Sequence, residues 1–187
     1  MPHGVCPWWI GYLLASPLRR LLQDPGAILS PYVHDGMTVL EPGPGMGFFT
    51  LELARLVGPS GRVVAIDIQP KMLEVLWRRL AKRGLAECVE TRVVEAGSMG
   101  LGDLAGSFDF ALAFAMVHEL PSAASFFAEV AAALKTGGSV LLAEPRGHVG
   151  PELFDEELKH ATAAGLVVRS RPAITRSHAA ILVKDEG

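Results

Sequence analysis

Short apolar runs alternate with amphipathic stretches along most of the chain. Strands are predicted at the apolar runs, which are residues 37–40, 63–66, 89–94, 108–114, 139–143, 166–168 and 179–183. Helices are predicted where apolar residues recur every three to four positions, at residues 48–57, from Pro70 to a C-cap at Gly84, from Pro121 to Leu134, and at 151–164. Nearly continuous apolar strands separated by helices indicate a doubly wound α/β fold, in which helices cover both faces of a mostly parallel sheet.

Residues 1–30 lie outside this alternation, and we expect them to form a helical segment in front of a domain of residues 31–187. The segment is rich in aromatic residues, among them Tyr12, and carries the basic pair Arg19 and Arg20. It is compatible with a helix packed on the edge of the sheet or with a lid over an active-site cleft. A membrane-surface anchor fits less well, because two basic residues are few for that role.

Composition and charge narrow the class of protein. Of the 187 residues, 50% are hydrophobic and 20% are charged, which is not the composition of a disordered chain. The net charge of −3 disfavours nucleic acid as a partner, because phosphate binding needs clustered Lys and Arg. No apolar run reaches the roughly 18 residues of a membrane span, and two cysteines cannot build a disulfide scaffold. We expect a cytoplasmic monomer or homodimer without stable membrane insertion.

The first predicted strand ends in a glycine-rich loop, Glu-Pro-Gly-Pro-Gly-Met-Gly, at residues 41–47. Doubly wound sheets bind ligands beyond the carboxyl ends of their strands, and glycines let the backbone approach a ligand closely. Phe48 stands where a dinucleotide-binding loop has its third small residue. The Glu41 carboxylate would repel a diphosphate and attract an ammonium. Asp67, after the second strand, is placed to bind both hydroxyls of a ribose, or else to form a helix cap or a turn.

Four motifs in chain order resemble those of the class I S-adenosylmethionine-dependent methyltransferases. They are the acidic residue with its G-x-G-x-G loop, the second strand with its acidic end, the start of the fourth strand and the Leu-Lys-Thr-Gly-Gly turn, at residues 41–47, 64–68, 107–112 and 134–138. Within the family, the chain is most similar to the ubiquinone/menaquinone methyltransferase group. The resemblance implies S-adenosylmethionine as cofactor and a Rossmann-like, three-layer α/β/α fold with seven strands in the order 3-2-1-4-5-7-6.

The resemblance also implies roles for individual residues at the cofactor. They are Glu41 at the methionine ammonium, Gly43, Gly45 and Met46 along the ligand, Asp67 at the ribose, Ile68 on the adenine, Glu95 with Ala96 at the adenine amino group, and Ala115 near the methyl-bearing sulfur. For Glu95, a surface position without ligand contact remains the alternative.

Methyl transfer from a sulfonium needs an aligned acceptor, and it needs a base only where the acceptor must lose a proton. His118, after the fourth strand, is the predicted general base or acceptor-orienting residue, with a helix cap as the alternative. The other side chains predicted to contact the acceptor are Tyr12, Glu144, Arg146 and His148.

We expect methyl transfer to a small molecule, with quinone-type, thiol and metalloid acceptors all open. His3, Cys6, His118 and His148 could gather around a thiophilic acceptor such as arsenite, but their spacing has no metal signature, so no bound metal is predicted. One alternative is a catalytically silent, S-adenosylmethionine-binding subunit that uses residues 5–22 as an interface. Another is a dinucleotide oxidoreductase, which NAD would stabilise and S-adenosylhomocysteine would not.

Overall fold

The structure, a computed structural model, describes residues 23–185. These residues form two compact units, residues 23–94 and residues 95–185, which we call the N-terminal unit and the C-terminal unit. Among the helices of residues 23–185, none combines the length and the apolar character that crossing a bilayer requires. Tyr12, the rest of residues 1–22 and the last two residues lie outside the described part, so the predictions made for the N-terminal segment concern residues beyond it.

Helices and strands alternate in the N-terminal unit. In chain order they are α1 (Pro25–Leu29), β1 (Thr38–Pro42), α2 (Thr50–Val57), β2 (Arg62–Asp67), α3 (Pro70–Ala81) and β3 (Val89–Val93). Strands β1, β2 and β3 pair in parallel. The predicted apolar stripe of α3 is its buried face, formed by Met72, Leu73, Leu76 and Leu80. Burial of this stripe against the sheet holds the end of β2 in place for the site described below.

The C-terminal unit continues the alternation and closes with an antiparallel strand. Its elements are β4 (Phe108–Phe114), α4 (Ala123–Ala133), β5 (Leu134–Pro145), α5 (Pro151–Ala163), β6 (Leu166–Ser170) and β7 (Ser177–Lys184). Strand β4 pairs in parallel with β5, whereas β7 runs antiparallel to both β5 and β6. Residues 110–113 of β4 and residues 140–143 of β5 are apolar and buried, as strands covered on both faces must be.

The seven strands form one sheet in the order β3-β2-β1-β4-β5-β7-β6. This order and the mostly parallel, doubly wound architecture confirm the fold predicted from the alternating pattern and from the family resemblance. The strand positions are also confirmed, with ends that differ by a few residues.

Both predicted ends of α4 were wrong, each for a local reason. Helix α4 begins at Ala123 rather than at Pro121, because the Ser122 hydroxyl caps it by accepting the Ser125 N–H at 3.1 Å. Leu134 belongs to β5 and not to α4, and residues 135–138 bulge out of register before Ser139 pairs with Phe110. The regular part of helix α3 ends at Ala81. The predicted glycine end at Gly84 is confirmed: Gly84 has a φ of 68°, its N–H donates to the Ala81 carbonyl at 3.2 Å, and the Leu85 N–H donates to the Leu80 carbonyl at 3.0 Å.

Candidate functional site

The glycine-rich loop of the N-terminal unit follows β1 directly and folds back on itself. The Gly43 N–H donates to the Ile66 carbonyl at 2.9 Å, which ties the loop to β2, and the Gly47 N–H donates to the Pro44 carbonyl at 2.9 Å. Gly45 has a φ of 54°, and no described atom lies within 4 Å of the position that a Cβ would take. The loop therefore presents bare backbone, with room beside Gly45 for a ligand.

Glu41 is a buried carboxyl group whose Oε2 has no hydrogen-bond partner among residues 23–185. Its side chain is only 3% exposed, and neither its Oε2 nor the buried Thr50 hydroxyl makes a hydrogen bond of good geometry. Burial raises the pKa of Glu41 to about 7, the Asp67 charge adds to that rise, and the nearby Thr50 hydroxyl opposes it. A cation beside Glu41 Oε2 would supply the partner that this buried oxygen lacks.

Asp67, at the end of β2, is held by the backbone around it. Its Oδ1 accepts the Gln69 N–H at 2.9 Å, and the N–H groups of Gly45 and Ile68 also act on the carboxylate. Burial raises the pKa of Asp67, and these backbone contacts oppose the rise. The contact with the Gln69 N–H is a turn, one of the alternatives to ribose binding that the sequence allows for Asp67. The backbone contacts together also hold the carboxylate next to the glycine-rich loop.

The residue after Asp67 supplies an apolar surface. Ile68 is 38% exposed although it directly follows a buried strand, so its side chain offers hydrocarbon to a flat ring. Met46, by contrast, is buried, and the Arg79 guanidinium of α3 donates to its carbonyl oxygen. Arg79 and Thr50 are contributors to this region that the sequence pattern missed, since both occupy ordinary helical positions.

In the C-terminal unit, the chain leaves β4 through a strained turn. Ala115 has a φ of 56°, in the left-handed region that costs a non-glycine residue roughly 1–2 kcal/mol. Its N–H donates to the Ala143 carbonyl of β5 at 2.7 Å, which helps to hold this conformation. Strain of this kind is common at functional sites, and here it directs the residues after β4 toward the end of β5.

Glu144, at the end of β5, organises that turn. Its Oε1 accepts the N–H groups of Met116 and Val117 at 3.2 and 2.8 Å, and its Oε2 contacts His118 Nδ1. The hydrogen bond to Glu144 raises the pKa of His118, burial opposes that effect, and Glu119 and Glu157 add to the rise. The result is an imidazole oriented through Nδ1 by a carboxylate, an arrangement that suits a general base acting through Nε2.

The other predicted acceptor contacts differ in their surroundings. The exposed His148 ring meets the His118 ring edge to face, with centroids 5.5 Å apart. Arg146 is exposed, but its Nε donates to the Ser177 carbonyl of β7 at 3.1 Å. Glu144 has 0% exposed surface, so its position fits an action on His118 rather than the direct acceptor contact that was predicted.

Glu95 and Ala96 lie at the start of the C-terminal unit, on an exposed turn closed by the Ser98 N–H and the Glu95 carbonyl at 3.3 Å. The predicted contact with an adenine amino group stays a prediction. Among residues 23–185, no group of three His, Cys, Asp or Glu side chains is arranged to hold a metal ion.

Glu157 is the polar residue of this region that the sequence reasoning missed. It lies on the buried face of α5, is only 3% exposed, and its Oε2 has no hydrogen-bond partner. Burial and the Glu144 charge raise the pKa of Glu157 to about 8, while His118 lowers it. The sequence feature that indicates such a residue is a glutamate at a position of the predicted helix where the spacing calls for an apolar side chain.

Comparison with known proteins supports a methyltransferase fold along most of the chain. A family described as a methyltransferase domain matches residues 33–174. A solved S-adenosylmethionine-dependent methyltransferase from Aquifex aeolicus superposes with a TM-score of 0.86, at 26% identity, over 96% of this chain and 100% of that one.

The name of one curated relative states its acceptor, and the name of a second states the biosynthesis in which it acts. The chain is 32% identical over 109 residues to an arsenite methyltransferase of Halobacterium salinarum, a match that covers 58% of this chain and 27% of the relative. It is 34% identical over 113 residues to a ubiquinone/menaquinone biosynthesis C-methyltransferase of Hahella chejuensis, covering 60% of this chain and 44% of the relative. The chain therefore matches less than half the length of either enzyme.

Proposed function

We propose that this chain, which belongs to the methyltransferase domain family of class I S-adenosylmethionine-dependent methyltransferases, transfers a methyl group to a small-molecule acceptor that loses a proton. The membership confirms the family, the enzyme class and the cofactor that the four sequence motifs implied. The acceptor and the roles of individual residues are our proposals. The contact between Glu144 and His118 is the observation on which the proposed acceptor class depends.

The residues of the N-terminal unit fit S-adenosylmethionine. This cofactor supplies a methyl group on a sulfonium, with a neutral thioether as leaving group. Glu41 Oε2, buried and without a partner, would pair with the amino acid ammonium. Asp67 would accept hydrogen bonds from the ribose, Ile68 would pack on the adenine, and the space beside Gly45 leaves room for the ligand. A Cβ at Gly45 would intrude on that space.

His118 is the proposed general base. Its Nδ1 faces Glu144, so Nε2 is the nitrogen that can accept a proton from the acceptor. As the proton moves to Nε2, the imidazolium forms beside the Glu144 carboxylate, which stabilises the new charge. The deprotonated acceptor then attacks the methyl carbon, and the electron pair of the breaking carbon–sulfur bond stays on sulfur. The raised pKa of His118 favours this proton transfer.

A base of this kind favours a hydroxyl or an acidic carbon over a thiol or arsenite, which need less help to become nucleophilic. Cys88 is the one thiol among residues 23–185, and its Sγ contacts the Leu85 and Ala54 carbonyls at 3.4 and 3.6 Å. Burial raises the pKa of Cys88, which disfavours the thiolate that a metalloid would bind. Between arsenite and a quinone-type acceptor with a phenolic hydroxyl, the second fits these side chains better.

The test is an acceptor screen with labelled S-adenosylmethionine and with release of S-adenosylhomocysteine as readout. Simple hydroquinones and phenols, small thiols and arsenite are compared on the wild type and on His118→Gln, with His160→Gln, an exposed histidine of the same unit, as control. We expect turnover of the phenolic class, lost in His118→Gln and kept in His160→Gln. Turnover of thiols or arsenite alone would refute the acceptor class, and full activity of His118→Gln would refute the base.

A further inference from the structure

Arg146 and Arg176 lie opposite each other, just beyond the paired ends of β5 and β7. The last pair of the antiparallel ladder is Pro145 with Ser177. The Arg146 N–H donates to the Arg176 carbonyl at 2.9 Å, which extends the ladder by one step. Residues directly opposite each other in such a ladder have Cβ atoms about 4.5–5.5 Å apart, and like charges there are destabilising. The fold thus brings two positively charged residues together at one end of the sheet.

Carboxylates of the described part of the chain do not neutralise this arginine pair. No Asp or Glu among residues 23–185 forms an ion pair with Arg146 or Arg176, whereas Arg169 and Arg171, the other arginines of the C-terminal unit, both pair with aspartates. Arg146 Nε donates to the Ser177 carbonyl at 3.1 Å, which holds the side chain and leaves its Nη groups for another partner. Arg176 has a φ of 62°, in the left-handed region that residues with a side chain rarely adopt. An anionic ligand would offset the repulsion between the two guanidinium groups.

The turn that contains Arg146 also leads to the proposed general base. The Pro145 carbonyl accepts the N–H groups of His148 and Val149, both at 2.9 Å, and these two bonds close the turn. The His148 ring meets the His118 ring edge to face, with centroids 5.5 Å apart. One hydrogen-bonded turn therefore connects the arginine pair to the imidazole that is proposed to take the proton of the acceptor.

The charge next to His118 has the opposite sign to that of the arginine pair. Glu119 Oε1 lies 4.0 Å from His118 Nε2, and the Glu119 side chain is 39% exposed. A carboxylate there disfavours an anionic group beside His118, whereas Arg146 and Arg176 favour one. An acceptor with both a hydroxyl and an acidic group would therefore bind with its hydroxyl at His118 and its acidic group at the arginines.

We propose that Arg146 and Arg176 bind an anionic oxygen-bearing group of the methyl acceptor, a carboxylate or a phosphate, so that the substrate is a phenol with an acidic group rather than an uncharged quinol. The inference rests on the proposed function and narrows its acceptor class. Each planar guanidinium can donate two N–H groups to such an anion, which an ammonium cannot match in geometry. Arg176, which no sequence motif indicates, thereby gains a role in specificity.

The first experiment compares ligands that differ only in the acidic group. Calorimetry measures the binding of hydroxybenzoates, hydroxyphenyl phosphates and uncharged hydroxybenzamides to the chain saturated with S-adenosylhomocysteine. We expect one of the two acidic series to bind about tenfold more tightly than the amides, the scale of a charge-assisted hydrogen bond. This preference should shrink as salt is added, and the series that shows it identifies the anion. Equal affinities of acidic and uncharged ligands would overturn the proposal, as would no binding of either acidic series.

Variants then test whether the preference comes from the arginine pair. Arg146→Gln and Arg176→Asn each remove one charge, and asparagine tolerates the left-handed backbone at position 176. Lys159→Gln removes the same charge from an exposed position of α5 and serves as control. We expect each arginine variant to lose about tenfold in affinity for the preferred acid and little for the amide, with both affinities unchanged in Lys159→Gln. An intact preference in both arginine variants would overturn the proposal, as would an equal loss in Lys159→Gln.

Urea unfolding checks the repulsion on which the inference depends. Arg176→Asn removes one of two like charges at opposite positions of the ladder, so it should unfold at the same urea concentration as the wild type or at a higher one. A lower unfolding midpoint for Arg176→Asn would contradict the repulsion and overturn the proposal. Arg146→Gln provides the binding measurement in the case that Arg176→Asn does not fold.

The binding measurements need no methyl transfer, so this inference and the proposed function fail separately. We expect His118→Gln to keep the preference for the acidic ligands over the amides. If His118→Gln also keeps full methyl transfer activity, His118 is not the base, yet the result for the arginine pair stands. If His118→Gln loses activity while both arginine variants keep the wild-type preference, only the acidic acceptor is refuted.

Discussion

Each unit of the molecule contains two buried carboxyl groups that differ in their hydrogen bonds. One accepts hydrogen bonds from neighbouring groups, and the other has an oxygen without a hydrogen-bond partner among the described residues. In the N-terminal unit, backbone N–H groups hold Asp67, whereas Glu41 Oε2 has no partner. In the C-terminal unit, two backbone N–H groups and His118 hold Glu144, whereas Glu157 Oε2 has no partner. Burial raises the pKa of both unsatisfied glutamates.

The difference between the two unsatisfied glutamates lies in their setting. Glu41 precedes a loop of bare backbone, where the space beside Gly45 admits a ligand. Glu157 lies on the core side of a helix, and the groups that act on it belong to the protein. A carboxyl group with an unpartnered oxygen is thus suited to a ligand in the first case, where the loop leaves space beside it. The following predictions test whether the two units divide the work in this way.

The largest effect is expected from His118→Ala. Losing a general base lowers kcat by about 10²- to 10⁴-fold, while the dissociation constant of S-adenosylhomocysteine stays unchanged, since the proposed cofactor contacts of Glu41 and Asp67 are untouched. Steady-state kinetics and calorimetry measure the two quantities, with His160→Ala as the matched control. An equal loss of cofactor affinity would break the proposed division between the units.

Asp67→Ala should have the converse effect. This variant removes the carboxylate that accepts hydrogen bonds from the ribose hydroxyls. Its loss weakens S-adenosylhomocysteine binding by about 1–3 kcal/mol, or roughly 5- to 150-fold. Activity at saturating cofactor should fall much less than the affinity. Calorimetry on Asp67→Ala, beside Asp155→Ala as an exposed aspartate control, decides the point. Wild-type affinity in Asp67→Ala would remove this residue from the site.

The raised pKa of Glu41 predicts a pH-dependent affinity for the cofactor. Pairing with an ammonium needs the carboxylate, and the carboxyl group titrates at about 7 in the free protein. Affinity should therefore level off above pH 7 and fall by up to about tenfold per pH unit below it, with proton release on binding. Glu41→Gln should bind weakly at all pH values and lack this slope. A wild-type affinity that is flat between pH 5 and 7 would argue against the ammonium contact.

The smallest effects are expected at two glycines of the loop. A Cβ at Gly47, where φ is 83°, would lie 2.4 Å from Leu76 Cδ1, whereas a Cβ at Gly45 would meet no described atom. Both alanine variants carry the roughly 1–2 kcal/mol strain of a left-handed backbone, and Gly47→Ala must also displace Leu76. Urea unfolding should show the greater loss of stability for Gly47→Ala, and S-adenosylhomocysteine should stabilise Gly45→Ala less than the wild type. Equal stability of the two variants would contradict the packing argument.

The helices, the strands and the motifs whose residues are close along the chain can be predicted from the amino-acid sequence alone. Apolar runs indicate buried strands, the three-to-four spacing indicates α3 and α5, and the loop after β1 lies next to Glu41 because they are consecutive. Boundaries were less well determined, because an apolar residue such as Leu134 suits a helix face and a buried strand equally. Local hydrogen bonding, as at the Ser122 cap, then decides between them.

Which side chains meet across long stretches of the chain depends on how the helices and strands pack. Glu144 is 26 residues from His118, and Arg79 is 33 residues from Met46, so no local spacing predicts either contact. Thr50 and Glu157 look like ordinary helical residues until the fold buries Glu157 Oε2 and the Thr50 hydroxyl without a hydrogen bond of good geometry within residues 23–185. Burial and the direction of a side chain follow from how elements far apart in the chain pack together, and the same packing sets the pKa values of Glu41, His118 and Glu157.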